Sequence, residues 1–290
     1  MVVAVIRLGM PEPLISNVSD TARWVAVYRA WESARPDALF KDTLADRLDG
    51  ERGRAIAAAA PRQARSGWPM IARTKLIDDL IATCIGEGCG RVLNLAAGLD
   101  TRPYRLELPA ALEWIEADLP AMIDEKEGLL AGEKPRCKLT RERVDLADAA
   151  ARGEFLSRAT SGAANVLVIT EGLLTYLDDE QVRSLGRDLA RPAVRWWILD
   201  VASAAIVNMM KRRMGGHLEN APMKFAPPDG VAFFEAPGDW KAREIHSIFK
   251  SAKRFQRLPP FLRLFSFFPD PDPRRPGKGM WSAVVRFERS

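Results

Sequence analysis

A repeated distance constrains this chain more than any other feature. Four short strand-like segments, residues 91–95, 113–117, 141–144 and 165–170, are each followed by a residue suited to meeting a ligand: Gly98, Asp118, Asp145 and Glu171. These four are spaced 20, 27 and 26 residues apart, about the length of a strand, a crossover helix and their turns. Parallel neighbours cannot be joined by a tight hairpin and need such a crossover. The rhythm continues through 195–199, and 280–287 reads as a terminal strand. The expectation is an α/β fold with a Rossmann-like, mostly parallel sheet. Ligands of such sheets bind outside the carboxyl ends of the strands, so the four residues fall on the ligand side together.

The flanks depart from this rhythm. A helix is predicted after Ser19-Asp20, read as its N-cap, with Trp24, Val27, Tyr28 and Trp31 at helical spacing and Pro36 as its stop. A second is predicted over 69–84, where Leu76, Ile77, Leu80, Ile81 and Cys84 form an apolar stripe that Arg73 shares, before Gly86, Gly88 and Gly90 break it. After Asp200 come Met209-Met210, a Gly215-Gly216 break and four prolines, Pro222, Pro227, Pro228 and Pro237. Long insertions without βα character in such folds are commonly functional lids. The chain is therefore divided into a helical extension (1–68), a ligand-binding core (69–204), a cap (205–260) and final strands (261–290), all within one domain.

Each strand-end residue has a chemical reason. A glycine lets backbone approach a ligand, and a carboxylate about 20 residues further on can accept from both hydroxyls of a ribose. A helix antiparallel to the following strand starts on the ligand side, where the Arg73 guanidinium could clamp a carboxylate; the alternative is an arginine snorkelling from the helix edge. A dinucleotide would require G-x-G-x-x-G, whereas this chain has Ala96, Gly98 and Thr101 there, with Pro103 behind. A ligand with a ribose, a free carboxylate and no phosphate fits better, and S-adenosyl-L-methionine has that inventory.

Composition narrows the remaining classes. The chain is 47% hydrophobic, with no apolar run long enough to span a bilayer, and no leader pattern is read in Met1 to Met10. Cys84, Cys89 and Cys137 make no paired framework, which suits a reducing cytoplasm. With His217 and His246 the only histidines, no metal site is expected. The formal charge of +5 is spread along the chain, densest at Lys211-Arg212-Arg213 and Arg274-Arg275. Neither patch has the aromatic interleaving of a nucleic-acid footprint, so the expected partner is a small molecule, with no nucleic acid and no membrane.

Six stretches then carry a resemblance: SDTARWVAVYRAWE (19–32), RTKLIDD (73–79), NLAAGLDTRPYRL (94–106), EADLP (116–120), Asp145-Leu146 and EGLLTYL (171–177). Over about residues 15 to 200 they resemble the leucine carboxyl methyltransferase family, which includes bacterial O-methyltransferases dependent on S-adenosyl-L-methionine, some acting on polyketide carboxylates. The resemblance implies a class I methyltransferase sheet of seven strands, the last antiparallel. It also implies that Arg73 meets the cofactor carboxylate, Ala96 and Gly98 lie against the cofactor, Asp118 takes the ribose, Asp145 and Leu146 flank the adenine, Glu171 faces the methionyl part and Tyr176 lies near the transferred methyl. Two positions depart from the pattern: Ala96, where relatives often have glycine, and Thr43, where many have proline.

Asp100, Thr101, Arg102 and Arg105 admit two readings, bracing of the loop or, for the arginines, contact with an acidic substrate. Trp196 and Trp197 are expected in the core, and Asp178 with Gln181 as a capping box. Met209, Met210, Met223, Phe225, Phe233 and Phe234 could line an acceptor pocket or be ordinary core. A carboxylate acceptor, with a pKa of about 4, needs no general base, whereas a phenol near about 10 does. The scarcity of histidine and the resemblance together favour a small-molecule carboxylate. The other readings are methylation of a protein C-terminal carboxylate and cofactor binding without turnover.

Overall fold

The computed structural model describes residues 15, 18–60, 65–214 and 221–290. Met1 to Met10, Gly215-Gly216 and His217 lie outside them. Seven strands, β1 (Arg91–Leu95), β2 (Glu113–Asp118), β3 (Lys138–Arg143), β4 (Val166–Thr170), β5 (Val194–Ala202), β6 (Trp240–Ser247) and β7 (Ser282–Arg289), form one sheet in the order β3-β2-β1-β4-β5-β7-β6. β1 to β5 pair in parallel, and β7 runs antiparallel to both β5 and β6. This is the class I methyltransferase arrangement expected above.

Strand order reverses at β1, whose neighbours are β2 on one side and β4 on the other. A crevice opens at such a point because the crossovers leave to opposite faces. The helices are α1 (Val18–Ser33), α2 (Ala45–Ala59), α3 (Trp68–Gly86), α4 (Arg102–Arg105), α5 (Pro120–Leu129), α6 (Ala149–Thr160), α7 (Asp179–Leu189), α8 (Ala204–Met214), α9 (Ala232–Glu235), α10 (Ile248–Arg254) and α11 (Pro260–Arg263).

The central strands are buried on both faces, and the two-residue period of a strand sorts their side chains. Leu93, Leu95, Val168, Trp197, Leu199, Val285 and Phe287 point into one core with α6, α7 and α9. Val92, Trp114, Leu167, Ile169, Trp196, Ile198 and Val284 point into the other, beneath α3 and α10. Both tryptophans of β5 are fully buried, and the Trp197 indole donates to Thr170 Oγ1 at 2.8 Å. The three cysteines are free and buried, and burial pushes the Cys84 thiol up to about 12.

Several boundaries differ from the sequence expectation. Asp20 lies within the first turn of α1 rather than at its cap, and its carboxylate pairs with Arg52 at 2.7 Å and Arg23 at 3.3 Å. The first helix ends at Ser33, ahead of Pro36. The 205–260 segment is not one cap: β6 and α10 lie inside it, β6 as the sheet's edge and α10 against α3. Likewise 261–290 contributes the single strand β7, preceded by the end of α11, a 3-10 turn over Leu264–Phe267 and loops. No helix among the described residues is long and apolar enough to cross a membrane.

Candidate active site

The loop after β1 is built from buried charge. Arg102 is 2% exposed, yet its guanidinium meets three carboxylates: Asp78 of α3 at 2.7 Å, Asp100 at 2.7 Å and Glu171 at 2.8 Å. Arg105 grips both oxygens of Asp78, at 2.7 and 2.8 Å. Asn94, at the end of β1, donates to Asp100 at 2.8 Å. Thr101 donates to Asp42 at 2.6 Å, and Arg29 of α1 donates to the Leu99 carbonyl at 2.6 Å. Charges so far from water persist only when paired and hydrogen-bonded, so α1, α3 and the turns after β1 and β4 hold one another in register. Of the two readings of Arg102 and Arg105, the geometry is that of bracing.

Arg73, in the second turn of α3, meets Glu171 Oε1 through Nε at 2.9 Å and Asp200 Oδ2 through Nη1 at 3.1 Å. Its Nη2 donates no hydrogen bond among the described residues. Asp200, near the carboxyl end of β5, also accepts from the Gly172 N–H at 2.6 Å. Burial alone would raise the Glu171 carboxyl, but the guanidiniums of Arg102 and Arg73 outweigh it and hold Glu171 below its ordinary range. Asp100 is depressed in the same way, burial being overcome first by Arg102.

Asp118 behaves oppositely. Its oxygens accept from the N–H groups of Gly98 at 2.7 Å and Leu119 at 2.8 Å, but burial dominates and pushes its carboxyl up. Two backbone positions in this turn are left-handed, Ala96 with φ 53° and Gly98 with φ 45°. A Cβ on Gly98 would lie 3.2 Å from the Ala22 Cβ on α1, so this turn also needs glycine for space. Gly67 admits α3 to the site similarly: it has φ 59°, and a Cβ there would fall 2.3 Å from the Tyr28 ring.

These elements enclose one cavity of about 1120 Å³ at the carboxyl ends of the strands. Arg73, Ala96, Gly98, Asp118, Asp145, Leu146, Glu171 and Tyr176 all line it. Its volume lies just above the roughly 300–1,000 Å³ of a typical ligand pocket. Helix α1 forms one wall through Thr21, Ala22 and Tyr28. The Tyr176 hydroxyl lies 3.3 Å from Thr21 Oγ1, and burial pushes its phenol up. The far end is apolar, lined by Met209, Met210, Met223, Phe225, Phe265 and Met280 among others. Phe233 and Phe234 instead pack in the core around Trp197. Among the described residues no group of three His, Cys, Asp or Glu side chains is placed to hold a metal ion.

Sequence reasoning missed two participants, Asp200 and Asp78. Asp200 obeys the strand-end rule that marked Gly98, Asp118, Asp145 and Glu171, carried one strand further. Asp78 is buried on α3 beside its apolar stripe, where a carboxylate calls for a cationic partner.

The family model described as leucine carboxyl methyltransferase matches residues 22–190, more than half of the chain and every polar side chain just described except Thr21 and Asp200. The chain belongs to the leucine carboxyl methyltransferase family. A Frankia alni relative, whose name gives S-adenosyl-L-methionine-dependent methyl transfer as its inferred activity, is 34% identical over 188 residues, covering 61% of this chain and 65% of its own length. A similarly named Mycolicibacterium smegmatis protein is 33% identical over 237 residues, covering 72% of this chain and 78% of its own length. The chain thus spans less than two thirds of the Frankia protein. Among solved structures, an inferred methyltransferase from Thermobifida fusca superposes with a TM-score of 0.57 at 13% identity, over 99% of this chain and all of its own. A DUF574 family protein from Streptomyces avermitilis gives 0.56 at 16% identity, over 92% and 96% of the two chains. At these identities the two structures establish a shared fold.

Proposed function

We propose that this family member is an S-adenosyl-L-methionine-dependent O-methyltransferase whose acceptor is the carboxylate of a small molecule. One observation carries the reading: the cavity offers a ribose-type carboxylate and a carboxylate-type arginine at one end, an apolar chamber at the other and, among the described residues, no histidine or lysine to act as a base. Glu171 and Asp200 each have both oxygens engaged, and the raised phenol of Tyr176 keeps its proton at neutral pH. A carboxylate acceptor is already ionised there and needs no base, whereas a phenol would need one.

The residues fit the cofactor. Asp118 would hold the ribose hydroxyls, the free Nη2 of Arg73 the terminal carboxylate, and Asp145 and Leu146 the adenine, with the Ala96–Gly98 turn bringing backbone against it. Glu171, fixed as an anion by two arginines, faces the methionyl end. S-adenosyl-L-methionine, when bound, would supply an electrophilic methyl on a sulfonium, transferred by an in-line displacement in which a C–O bond forms as the C–S bond breaks and the sulfur leaves as a neutral thioether. The chain's own task is alignment and exclusion of water. Tyr176 positions the acceptor by hydrogen bonding, and α8 with residues 223–225 closes over its apolar part.

The test is the bond formed. Acceptor screening with methyl-labelled cofactor should give label that mild alkali releases as methanol, as an ester does, with a transfer rate flat across neutral pH. Alkali-stable label in a small-molecule product would mean an ether or N-methyl product and would overturn the carboxylate. Alkali-labile label recovered in protein would point instead to a protein carboxylate.

A further inference from the structure

Residues 261–268 present their apolar side chains to solvent. Phe261, Leu264, Phe265, Phe267 and Phe268 are all exposed, Leu264 by 71% and Phe267 by 75%. Apolar side chains exposed singly are ordinary, but five within eight residues form a patch of the kind that marks a binding surface. The patch is held rather than loose. Lys250 of α10 donates through Nζ to the carbonyls of Ser266 (2.6 Å) and Phe268, and the Lys253 ammonium sits 3.8 Å from the Phe267 ring centroid. Ser266 Oγ closes the turn onto the Arg263 carbonyl at 2.6 Å.

The charge around the patch identifies what it meets. Between Lys250 and Lys278 the chain has eight basic residues (Lys250, Lys253, Arg254, Arg257, Arg263, Arg274, Arg275 and Lys278) against two acidic ones, Asp270 and Asp272. Arg257 is spent on Glu32 and Arg274 on Glu235. The other six form no ion pair with a carboxylate among the described residues. Lys250, Lys253 and Arg263 are tied to the patch itself by the contacts above, and cations without carboxylate partners beside exposed aromatic and leucine side chains complement a surface that is anionic at its face and hydrocarbon below. Phe261, Phe265 and Phe268 also line the mouth of the cavity, so patch and cavity are continuous.

We propose that residues 261–268 dock this protein onto anionic lipid surfaces, with the mouth of the catalytic cavity facing the bilayer. The sequence reading set membranes aside because no segment spans one; a docking turn needs no span. The docking itself is independent of the proposed chemistry. Its consequence, that an acceptor with a hydrocarbon part enters from the lipid side, rests on the methyltransferase reading.

Co-sedimentation of the full chain, without cofactor, is the test, using vesicles of phosphatidylcholine alone and of phosphatidylcholine with phosphatidylglycerol. The chain should bind the mixed vesicles, weakly or not at all the neutral ones, and release as salt is raised. L264S/F267S changes the two most exposed apolar side chains, neither of them a cavity residue, and should weaken binding at least about tenfold with an unchanged melting temperature. R254Q/R263Q should weaken it on mixed vesicles only. Several results would overturn the proposal: no binding to mixed vesicles, equal binding to both kinds, or undiminished binding by L264S/F267S. So would a dimer in sedimentation velocity that this variant dissociates, or binding to an oligonucleotide with none to vesicles. Methyl-donor affinity, measured separately by calorimetry, tests the chemistry without bearing on the docking.

Discussion

The two ends of the cavity are built on opposite principles. Around the β1 and β4 turns, buried arginines and carboxylates fix each backbone segment through several partners. At the far end, α8, the 221–239 segment and the turns before β7 offer methionine and phenylalanine with few polar contacts. Ion pairs of fixed geometry admit one arrangement, while unbranched apolar side chains can repack around different shapes. On the function proposed above, the charged half would hold the methyl donor and the apolar half would choose the acceptor.

The contrast can be broken most decisively at Arg102. Arg102→Ala leaves Asp78, Asp100 and Glu171 buried without their shared cation and should cost about 4 kcal/mol or more, read as a lower urea midpoint. A loss near zero would mean the charged half is not what holds the site. Asp118→Ala should leave stability nearly intact yet weaken S-adenosyl-L-methionine binding by about 2 kcal/mol, roughly thirtyfold in calorimetry. If that substitution lowered the melting temperature instead, Asp118 would belong to the scaffold.

Acid provides a further probe. Glu171 and Asp100 have folded-state pKa values below their unfolded ones, so both add stability that is full above the ordinary carboxylate range and is lost as pH falls through the folded values. Urea midpoints should therefore drop on acidification, and Glu171→Gln should flatten that dependence. An unchanged slope would show that the pairing with Arg73 and Arg102 contributes little. Ala96→Gly should have the smallest effect in the charged half, a gain of about 0.5 kcal/mol from relieving a left-handed alanine. Affinity for the cofactor should change less than about threefold.

The fold was legible wherever local pattern and global position agree. Strand β4 and the centres of β1 and β5 are apolar runs between turn signals because both their faces are buried. β6 escaped notice for the opposite reason: as an edge strand it carries Lys241, Arg243, Glu244 and His246, and looks like a polar loop until β7 is beside it. Arg243 then meets Glu288, and Glu244 meets Arg286. In the site, strand-end residues could be read from their spacing. The pairing of Arg73 with Asp200 spans 127 positions, and no local pattern encodes so distant a partner. The docking turn was unreadable for a related reason, since a string of phenylalanines signals core unless the backbone is known to turn them outward.

The place of β7 has a consequence for how the chain is made. Ser282–Arg289 lies between β5 and β6, so an interior strand of the sheet is synthesised after both of its neighbours. Until it emerges, β5 keeps an open apolar edge and β6 has nothing to pair with, leaving the nascent protein with an unfilled slot. Such an edge is a template for wrong pairing. A ribosome that stalls or stops before residue 282 would release a molecule with its β1-to-β5 half in place and a sticky gap beside it, a species for chaperones and proteases rather than a slightly shortened native protein.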